Sequence, residues 1–261
     1  MKYYIITIAL ILGSFLTAYT QVQPEKTGEF SFQLHQINDV SVQLTDASLQ
    51  IVKDNSSIYS QQINGKKIYQ TSPDNSHFYV ANFDFIDEDG DYPVTLYIFK
   101  QSGELYYSHE VLAPYDLPHP LFALNNEGVL AYFEPLNFFL TIVREDVVIP
   151  IKLEEQVEFE MEKAFFISFN DAGVYLLTTI GQADIEGRNN ANTYFYHITY
   201  PSTVVSKQVI SYSIPTALSL FDDEVIISGI RFENLQPVME TQIFSLAAEL
   251  KKTISGFSYQ Q

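Results

Sequence analysis

Apolar and polar residues alternate in short runs along most of the chain from Phe30 onward. In residues 30–34 and 40–44, for example, every second side chain is apolar. This period of two is typical of a strand with one face turned inward, and a helix has a different period. Turn-forming residues, such as Asn64-Gly65, separate the runs. The pattern therefore predicts an all-β chain built from short antiparallel strands.

The alternating runs recur in groups of four. After the first strand of successive groups comes a turn, centred in turn on Asp74, Asn126, Asp171 and Asp222, at separations of 52, 45 and 51 residues. Repeats of about 45 residues with four strands are typical of propeller blades. A compressed first group, with its turn at Asn38-Asp39, brings the number to five. We expect a β-propeller of about five four-stranded antiparallel blades in a single domain, residues 30–261. The alternatives are a β-sandwich or an open arc of blades.

Tyrosines near the starts of the second strands indicate how such blades would pack. A four-stranded sheet with apolar residues on both faces is stable only when neighbouring sheets cover those faces. We therefore expect Tyr79, Tyr132 and Tyr175 to lie between blades.

The best-formed copy of the repeat is residues 71–82, TSPDNSHFYVAN. It resembles the SPDG-x-x-x-YV-x-N unit of YVTN-type bacterial β-propeller repeats, and the matching residues are Ser72, Pro73, Asp74, Tyr79, Val80 and Asn82. Asn75 stands where that unit has glycine, and asparagine tolerates the positive φ of such a turn. The resemblance covers about residues 66–259. It implies extracytoplasmic binding or scaffolding and supplies no catalytic residues.

The amino-terminal residues have the layout of a secretory signal. Lys2 precedes an apolar run, residues 3–12, and Ala18-Tyr19-Thr20 offers a small-x-small cleavage site. We expect a signal peptide over residues 1–20, a polar lead-in over residues 21–29, and a secreted or periplasmic protein. The chain contains no cysteine, so disulfides, thiolate chemistry and lipoprotein acylation are excluded.

The charge balance restricts the partners. The chain has 32 Asp and Glu against 14 Lys and Arg, for a net charge of −18. Such a surface repels phosphate backbones and anionic headgroups, so nucleic acid and anionic membranes are not expected partners. The charge also keeps an aromatic-rich protein soluble.

An acidic segment follows the best-formed repeat unit. Asp87, Asp89 and Asp91 alternate within residues 86–93, and carboxylates so arranged can converge on Ca²⁺, which takes six to eight oxygen ligands. The spacing is not that of an EF-hand. The alternative is a solvated hairpin loop, since such loops favour Asp and Gly anyway.

A proline-rich segment offers a second candidate site. Residues 113–120, APYDLPHP, display Tyr115, Asp116 and His119. A stiff loop with aromatic and polar groups suits recognition, because little conformational entropy is lost on binding. The alternative is a linker between blades in which the prolines only set direction.

No constellation of residues in the sequence identifies a reaction. Nucleotide, phosphate, serine-hydrolase and zinc-protease motifs are absent, and the five histidines lack metal-ligand spacing, with His77 and His197 in predicted strands. By analogy with propellers, ligands should meet the loops at residues 86–93, 113–120, 134–137, 181–192 and 231–238.

Three functions remain open on the sequence alone. The first is a secreted, non-catalytic module that binds a protein or a glycan. The second is an extracellular glycoside-processing enzyme with paired carboxylates at the propeller axis. The third is a structural part of an envelope assembly, which predicts an exposed apolar patch or an unpaired edge strand.

Overall fold

The computed structural model describes residues 32–83, 92–113, 121–134, 138–153, 165–180, 192–212, 214–221, 223–233 and 236–258. These residues form twenty strands and no helix. The described part of the chain accordingly includes no helix that is long and apolar enough to cross a membrane. The all-β prediction is confirmed.

The strands form five four-stranded antiparallel sheets, each made of four strands consecutive in the chain. Blade 1 contains β1 (Phe32–Ile37), β2 (Val40–Thr45), β3 (Ser48–Lys53) and β4 (Ser56–Gln62). Blade 2 contains β5 (Lys66–Thr71), β6 (His77–Phe83), β7 (Tyr92–Lys100) and β8 (Leu105–Ala113). Blade 3 contains β9 (Leu121–Leu124), β10 (Leu130–Glu134), β11 (Phe139–Arg144) and β12 (Val147–Lys152). Blade 4 contains β13 (Phe165–Asn170), β14 (Gly173–Ile180), β15 (Asn192–Thr199) and β16 (Val205–Ile210). Blade 5 contains β17 (Ile214–Phe221), β18 (Glu224–Glu233), β19 (Gln236–Ser245) and β20 (Leu250–Ser258).

Tight turns close the hairpins of blade 1, which the sequence predicts only weakly. The turns at residues 38–39 and 54–55 have two residues each, and Asn38, Asp54 and Asn55 adopt φ of 51°, 50° and 59°. Asparagine and aspartate enter this left-handed region more readily than other non-glycine residues. Their turn chemistry accounts for a complete first blade despite its short length.

Alternating side chains of one strand pack on two different blades. In β6, Phe78 and Val80 belong to the cluster shared with blade 1, whereas Tyr79 and Ala81 belong to the cluster shared with blade 3. All four side chains are buried. Alternation along the strand thus places apolar side chains on both faces of the sheet. Each internal blade therefore needs a neighbouring blade on either side to cover them. Tyr132 and Tyr175 are likewise buried in clusters between blades, as the sequence predicts.

Four clusters of buried apolar residues hold the molecule together. One lies between each pair of consecutive blades, from blades 1 and 2 to blades 4 and 5. Among the described residues, no comparable contact joins blade 5 to blade 1. The architecture is therefore a propeller-like stack of five blades that remains open, which is the open-arc form of the predicted fold.

One predicted loop is wrong. The sequence assigns residues 231–238 to a loop, but β18 runs through Glu233 and β19 begins at Gln236, with Phe232 paired to Pro237. Charged residues and a proline resemble a loop in sequence, yet here they extend a long hairpin. The start of β7 at Tyr92 likewise shortens the predicted acidic loop.

Candidate functional site

The two edges of the stack differ in how they connect strands. Connections after the first and third strand of a blade leave one edge, here named the turn edge, and those after the second and fourth leave the opposite loop edge. Turn-edge connections are short, the longest being the five-residue connections 72–76, 125–129 and 200–204. Loop-edge connections include the much longer residues 84–91, 153–164 and 181–191. Chain length that is not needed for closing hairpins is therefore concentrated at the loop edge.

Hydrogen bonds join the turns of blades 2, 3 and 4 across the turn edge. The backbone N–H of Asp74 donates to Oδ1 of Asn126 (3.1 Å), and Oγ of Ser76 donates to the Asn126 carbonyl oxygen (2.7 Å). Asn126 Nδ2 in turn donates to Oδ2 of Asp171 (3.4 Å). Three of the turn centres predicted from the sequence thus contact one another, and this row of contacts is named the turn ladder.

The turn at residues 72–76 is built around Asp74. Its Oδ1 accepts hydrogen bonds from the Ser76 N–H (2.8 Å) and from Oγ of Ser72 (3.0 Å). Burial works to raise the pKa of Asp74, but these hydrogen bonds outweigh it and hold the pKa below its usual value. Asn75 adopts a φ of 61°, so asparagine does take the place of glycine. The Pro-Asp-Asn turn is structural, as the sequence indicates.

Tyrosine hydroxyls provide further bonds between neighbouring blades near the turn edge. The Tyr107 hydroxyl bonds to the carbonyl oxygens of Gly128 (3.0 Å) and Val143 (3.1 Å). The Tyr175 hydroxyl donates to the Leu246 carbonyl oxygen (2.8 Å), and burial raises its pKa to about 12. Such tyrosines stay neutral hydrogen-bond donors, so they tie blades together and do not act as bases.

His77 and His197 also have packing roles. His77 Nδ1 lies 3.0 Å from the Asn126 carbonyl oxygen. His197 is buried and stacks on Tyr175, with 4.9 Å between ring centroids. Burial is the main cause that lowers the pKa of both histidines. Both lie in strands, as predicted, and each is neutral near pH 7.

A buried lysine and an asparagine fix the link from blade 1 to blade 2 at the loop edge. Lys67 Nζ donates to the carbonyl oxygens of Ile63 (3.0 Å) and Gly65 (2.9 Å). Asn82 Nδ2 donates to the Asn64 carbonyl oxygen (3.1 Å). Lys67 and Asn82 are cross-strand partners, so both side chains reach the same link. Asn82 is recognised in the sequence only as part of the repeat, and Lys67 only as a strand residue.

An ion pair at the loop edge of blade 5 has no counterpart in the sequence analysis. Arg231 Nε donates to Oε2 of buried Glu240 (2.7 Å), and Gln242 Nε2 donates to its Oε1 (3.0 Å). Arg231 also pairs with Glu233. A sequence prediction that continued the two strands through residues 231–238 would have found this pair, because it places Arg231 opposite Val238 and near Glu240. The carboxylate is fully hydrogen-bonded, as a buried structural charge must be.

The residues predicted for ligand binding lie outside the described residues. Asp87, Asp89 and Asp91 fall between β6 and β7, and Tyr115, Asp116 and His119 fall between β8 and β9. The strands that flank these two segments are described, and their register is informative.

Both segments leave the loop edge of blade 2. Phe83, Val94 and Val111 are register partners across β6, β7 and β8. The acidic segment follows β6 and the proline-rich segment follows β8, with β7 between them. At the usual strand spacing, the ends of β6 and β8 lie about 10 Å apart. The two predicted sites begin side by side at one edge.

In the part of the chain that the structure describes, no three His, Asp or Glu side chains are grouped so as to hold a metal ion. The predicted calcium ligands are not among these residues, so the calcium hypothesis stays a prediction.

Comparison with known proteins gives similarity of fold at low sequence identity. No protein-family model matches the sequence, and no curated protein matches it. Among solved structures, a eukaryotic initiation factor has a TM-score of 0.46 and 15% identity over 90% of this chain. This chain spans 56% of that protein's length.

Two further neighbours have similar scores. A putative TolB from Agrobacterium tumefaciens has a TM-score of 0.44 and 9% identity, over 88% of this chain and 81% of TolB. Drosophila plexin A, in complex with semaphorin 1b, has a TM-score of 0.42 and 11% identity, over 84% of this chain and 52% of plexin. The neighbours are propeller-type folds, while the fold described above rests on this chain's own sheet order and packing.

Proposed function

We propose that this protein is a secreted, non-catalytic propeller-like module that binds a protein or a glycan through its loop edge. The observation that carries the proposal is the difference between the two edges. The turn edge uses its polar groups internally, in the turn ladder and in the tyrosine bonds between blades. The loop edge carries connections far longer than hairpin closure needs, and binding residues on such scaffolds concentrate in loops.

The resemblance of residues 71–82 to YVTN-type repeats supports an extracytoplasmic scaffold, as does the secretory layout of residues 1–20. The strongly acidic composition favours partners that are neutral or basic, because like charges slow the encounter and oppose binding. The acidic and proline-rich segments of blade 2, which start about 10 Å apart, are the first place to look for the contact.

The test compares one variant at each edge. The loop-edge variant combines Tyr115→Ala with Asp116→Asn, and the matched turn-edge variant combines Glu145→Gln with Asp146→Asn, both exposed turn residues. Wild type and both variants are probed on a glycan array and used to capture proteins from the medium and envelope of the source cells. We expect a ligand that the turn-edge variant keeps and the loop-edge variant loses. Loss in the turn-edge variant alone, or no ligand in either format, contradicts the proposal.

No observation in the described part of the chain favours the enzymatic alternative. The carboxylates that meet at the loop edge of blade 5, Glu233 and Glu240, both bind Arg231. A glycosidase pair needs one carboxyl group that can carry a proton, whereas both carboxylates here are ion-paired with the same guanidinium. A glycoside-processing activity would have to come from residues elsewhere, and hydrolysis of polysaccharide by the purified protein would establish it.

A further inference from the structure

In the described part of the chain, the first and last blades each have one face that no other blade covers. On blade 1 the outward side chains are those that alternate with the residues packed on blade 2. This face, named end face 1, comprises Phe32, Leu34, Gln36, Ser41, Gln43, Thr45, Ser48, Gln50, Val52, Ser60 and Gln62. None of these residues is charged. Phe32 is 64% exposed and Leu34 is 58% exposed.

On blade 5 the outward side chains are predominantly aliphatic. The apolar part of this face, named end face 5, comprises Ile214, Ile226, Ile230, Met239, Ile243 and Ile254. Ile230 has the register partners Ile214 and Met239, Ile226 is the partner of Ile243, and Ile254 is the partner of Thr241. Met239 is 46% exposed and Ile254 is 45% exposed. Phe221, on the same face, is 64% exposed. Aliphatic side chains on all four strands of an uncovered sheet face are unusual for a surface open to water and are typical of an interaction site.

Charge limits what can cover these faces. The net charge of −18 opposes approach of any acidic protein, including a second copy, over most of the surface. End face 1 carries no charge. On blade 5 the outward charges are Glu224, which is paired with Lys251 (3.2 Å), and the exposed Lys252, the register partner of Ile243. The end faces are thus the places where two copies can meet with the least repulsion.

The internal interfaces show the geometry that such a contact would repeat. Four times in the chain, the forward face of one blade packs on the rear face of the next. Among the five described blades, end face 5 is a forward face that no following blade covers, and end face 1 is a rear face that no preceding blade covers. We propose that end face 5 of one copy packs on end face 1 of a second copy, which continues the blade stack from chain to chain.

The symmetry of this contact has a consequence for assembly. It joins two different surfaces, so it is heterologous, and each added copy presents a new free end face. Assembly therefore proceeds to short linear chains or rings rather than stopping at a dimer. Such assembly would place many loop edges in a row, but it does not depend on what the loop edge binds.

Charge insertion tests the proposal at positions that are already exposed. Leu34→Glu and Ile254→Glu each place a carboxylate in an end face, and Val209→Glu is the matched control, because Val209 is 69% exposed on β16 of blade 4, away from both end faces. Light scattering over a concentration series should show wild type and Val209→Glu growing beyond the monomer mass. Each end-face variant should weaken association on the order of tenfold or more, because the carboxylate would be buried without a partner. A wild type that stays monomeric at all concentrations, or a control that weakens equally, overturns the proposal.

Cross-linking identifies which faces meet. The chain lacks cysteine, so Gln36→Cys marks end face 1 and Ser219→Cys marks the blade 5 face. Both residues are exposed and lie on the first strand of their blade near the turn edge. A bismaleimide with a reach of about 10 Å, the distance between packed sheets, should link the two variants in a mixture and give little product with either alone. Products from one variant alone indicate an isologous contact and contradict the proposal, as does the absence of any product.

Discussion

At the scale of single residues, the conformation of Asn75 explains how a turn without the usual glycine still closes. Its φ of 61° lies in the left-handed region, which costs most L-residues about 1–2 kcal/mol but is accessible to asparagine. Ser72, Asp74 and Ser76 then complete the turn with hydrogen bonds that depend on this geometry. The sequence alone predicts this turn, because all of its determinants are local.

Substitution of Asn75 should separate conformation from chemistry. Asn75→Gly should leave the free energy of unfolding within about 0.5 kcal/mol, whereas Asn75→Val should lower it by about 1–2 kcal/mol, because a β-branched residue is strained at positive φ. Urea unfolding measures both. Asp146→Val, at an exposed turn position that does not have positive φ, is the control and should change little. Equal changes in the free energy of unfolding for Asn75→Gly and Asn75→Val would contradict the role assigned to the positive φ of Asn75.

His197 makes stability depend on pH in a predictable direction. Burial lowers its pKa from 6.5 in the folded protein, so the unfolded chain binds the proton more readily. The contribution of the neutral ring is present above pH 6.5 and is lost as the pH falls through 6.5 toward the folded pKa. His197→Phe keeps a ring against Tyr175 but cannot take up a proton.

The measurement is urea unfolding of wild type and His197→Phe at several pH values from 7.5 to 5. The unfolding free energy of the variant, relative to wild type, should rise as the pH falls. A difference that does not vary with pH would show that His197 does not resist protonation.

At the scale of the strands and their connections, the link between blades 1 and 2 shows what a buried cation can do without a catalytic role. Lys67 satisfies the carbonyl oxygens of Ile63 and Gly65, and Asn82 satisfies that of Asn64. Gly65 is buried, so its carbonyl group needs such a partner, whereas Ile63 is half-buried and Asn64 is exposed. The asparagine of the repeat unit is therefore a structural residue.

Replacement of Lys67 should weaken the whole stack. Lys67→Met keeps the length of the side chain but removes both hydrogen bonds, and we expect a loss of about 2–3 kcal/mol of unfolding free energy because buried acceptors lose their partners. Lys53→Met is the control: its ion pair with Asp39 is exposed, so its loss should change the free energy of unfolding little. Similar losses for the two variants, measured by urea unfolding, would contradict this account of the link.

The acidic segment between β6 and β7 allows a direct test of the calcium hypothesis. Asp87, Asp89 and Asp91 alternate along it, so calorimetry of the wild type should show calcium binding, and the triple Asp→Asn variant should lose it because neutral amides bind Ca²⁺ far more weakly than carboxylates do. No heat of binding at millimolar calcium would end the hypothesis and leave a solvated loop.

Most strands follow from the sequence, since alternation and turn residues act locally. Residues 231–238 are the exception, because Arg231, Glu233 and Pro237 have the composition of a loop, yet they extend the hairpin of β18 and β19, where Phe232 pairs with Pro237 and Arg231 binds Glu240. The two candidate segments are separated in the sequence by β7 and β8, and no local pattern shows that they start at the same edge. Sequence could name Tyr115 and Asp87 as candidates, and the strand register adds that their segments start at the same edge.

At the scale of the whole molecule, the five described blades share four interfaces, so one face of blade 1 and one face of blade 5 are not covered by another described blade. Each internal interface buries aromatic and aliphatic side chains, worth about 1.5–3 kcal/mol apiece when fully buried. Ring closure depends on the angle between successive blades, which no residue in the sequence specifies by itself. The sequence therefore predicts the blades and leaves ring and arc as alternatives.

The open arc is the central claim, because the free end faces exist only if the ring does not close. The most direct test is the distance between spin labels attached to a Gln36→Cys and Ser219→Cys double variant, measured by pulsed electron paramagnetic resonance in a sample diluted with unlabelled protein to suppress distances between copies. In an open arc the distance should lie well beyond the spacing of about 10 Å between packed sheets. A distribution centred near that packed spacing would show that blade 5 closes on blade 1 of the same chain, and would contradict both the open architecture and the proposed stacking of copies.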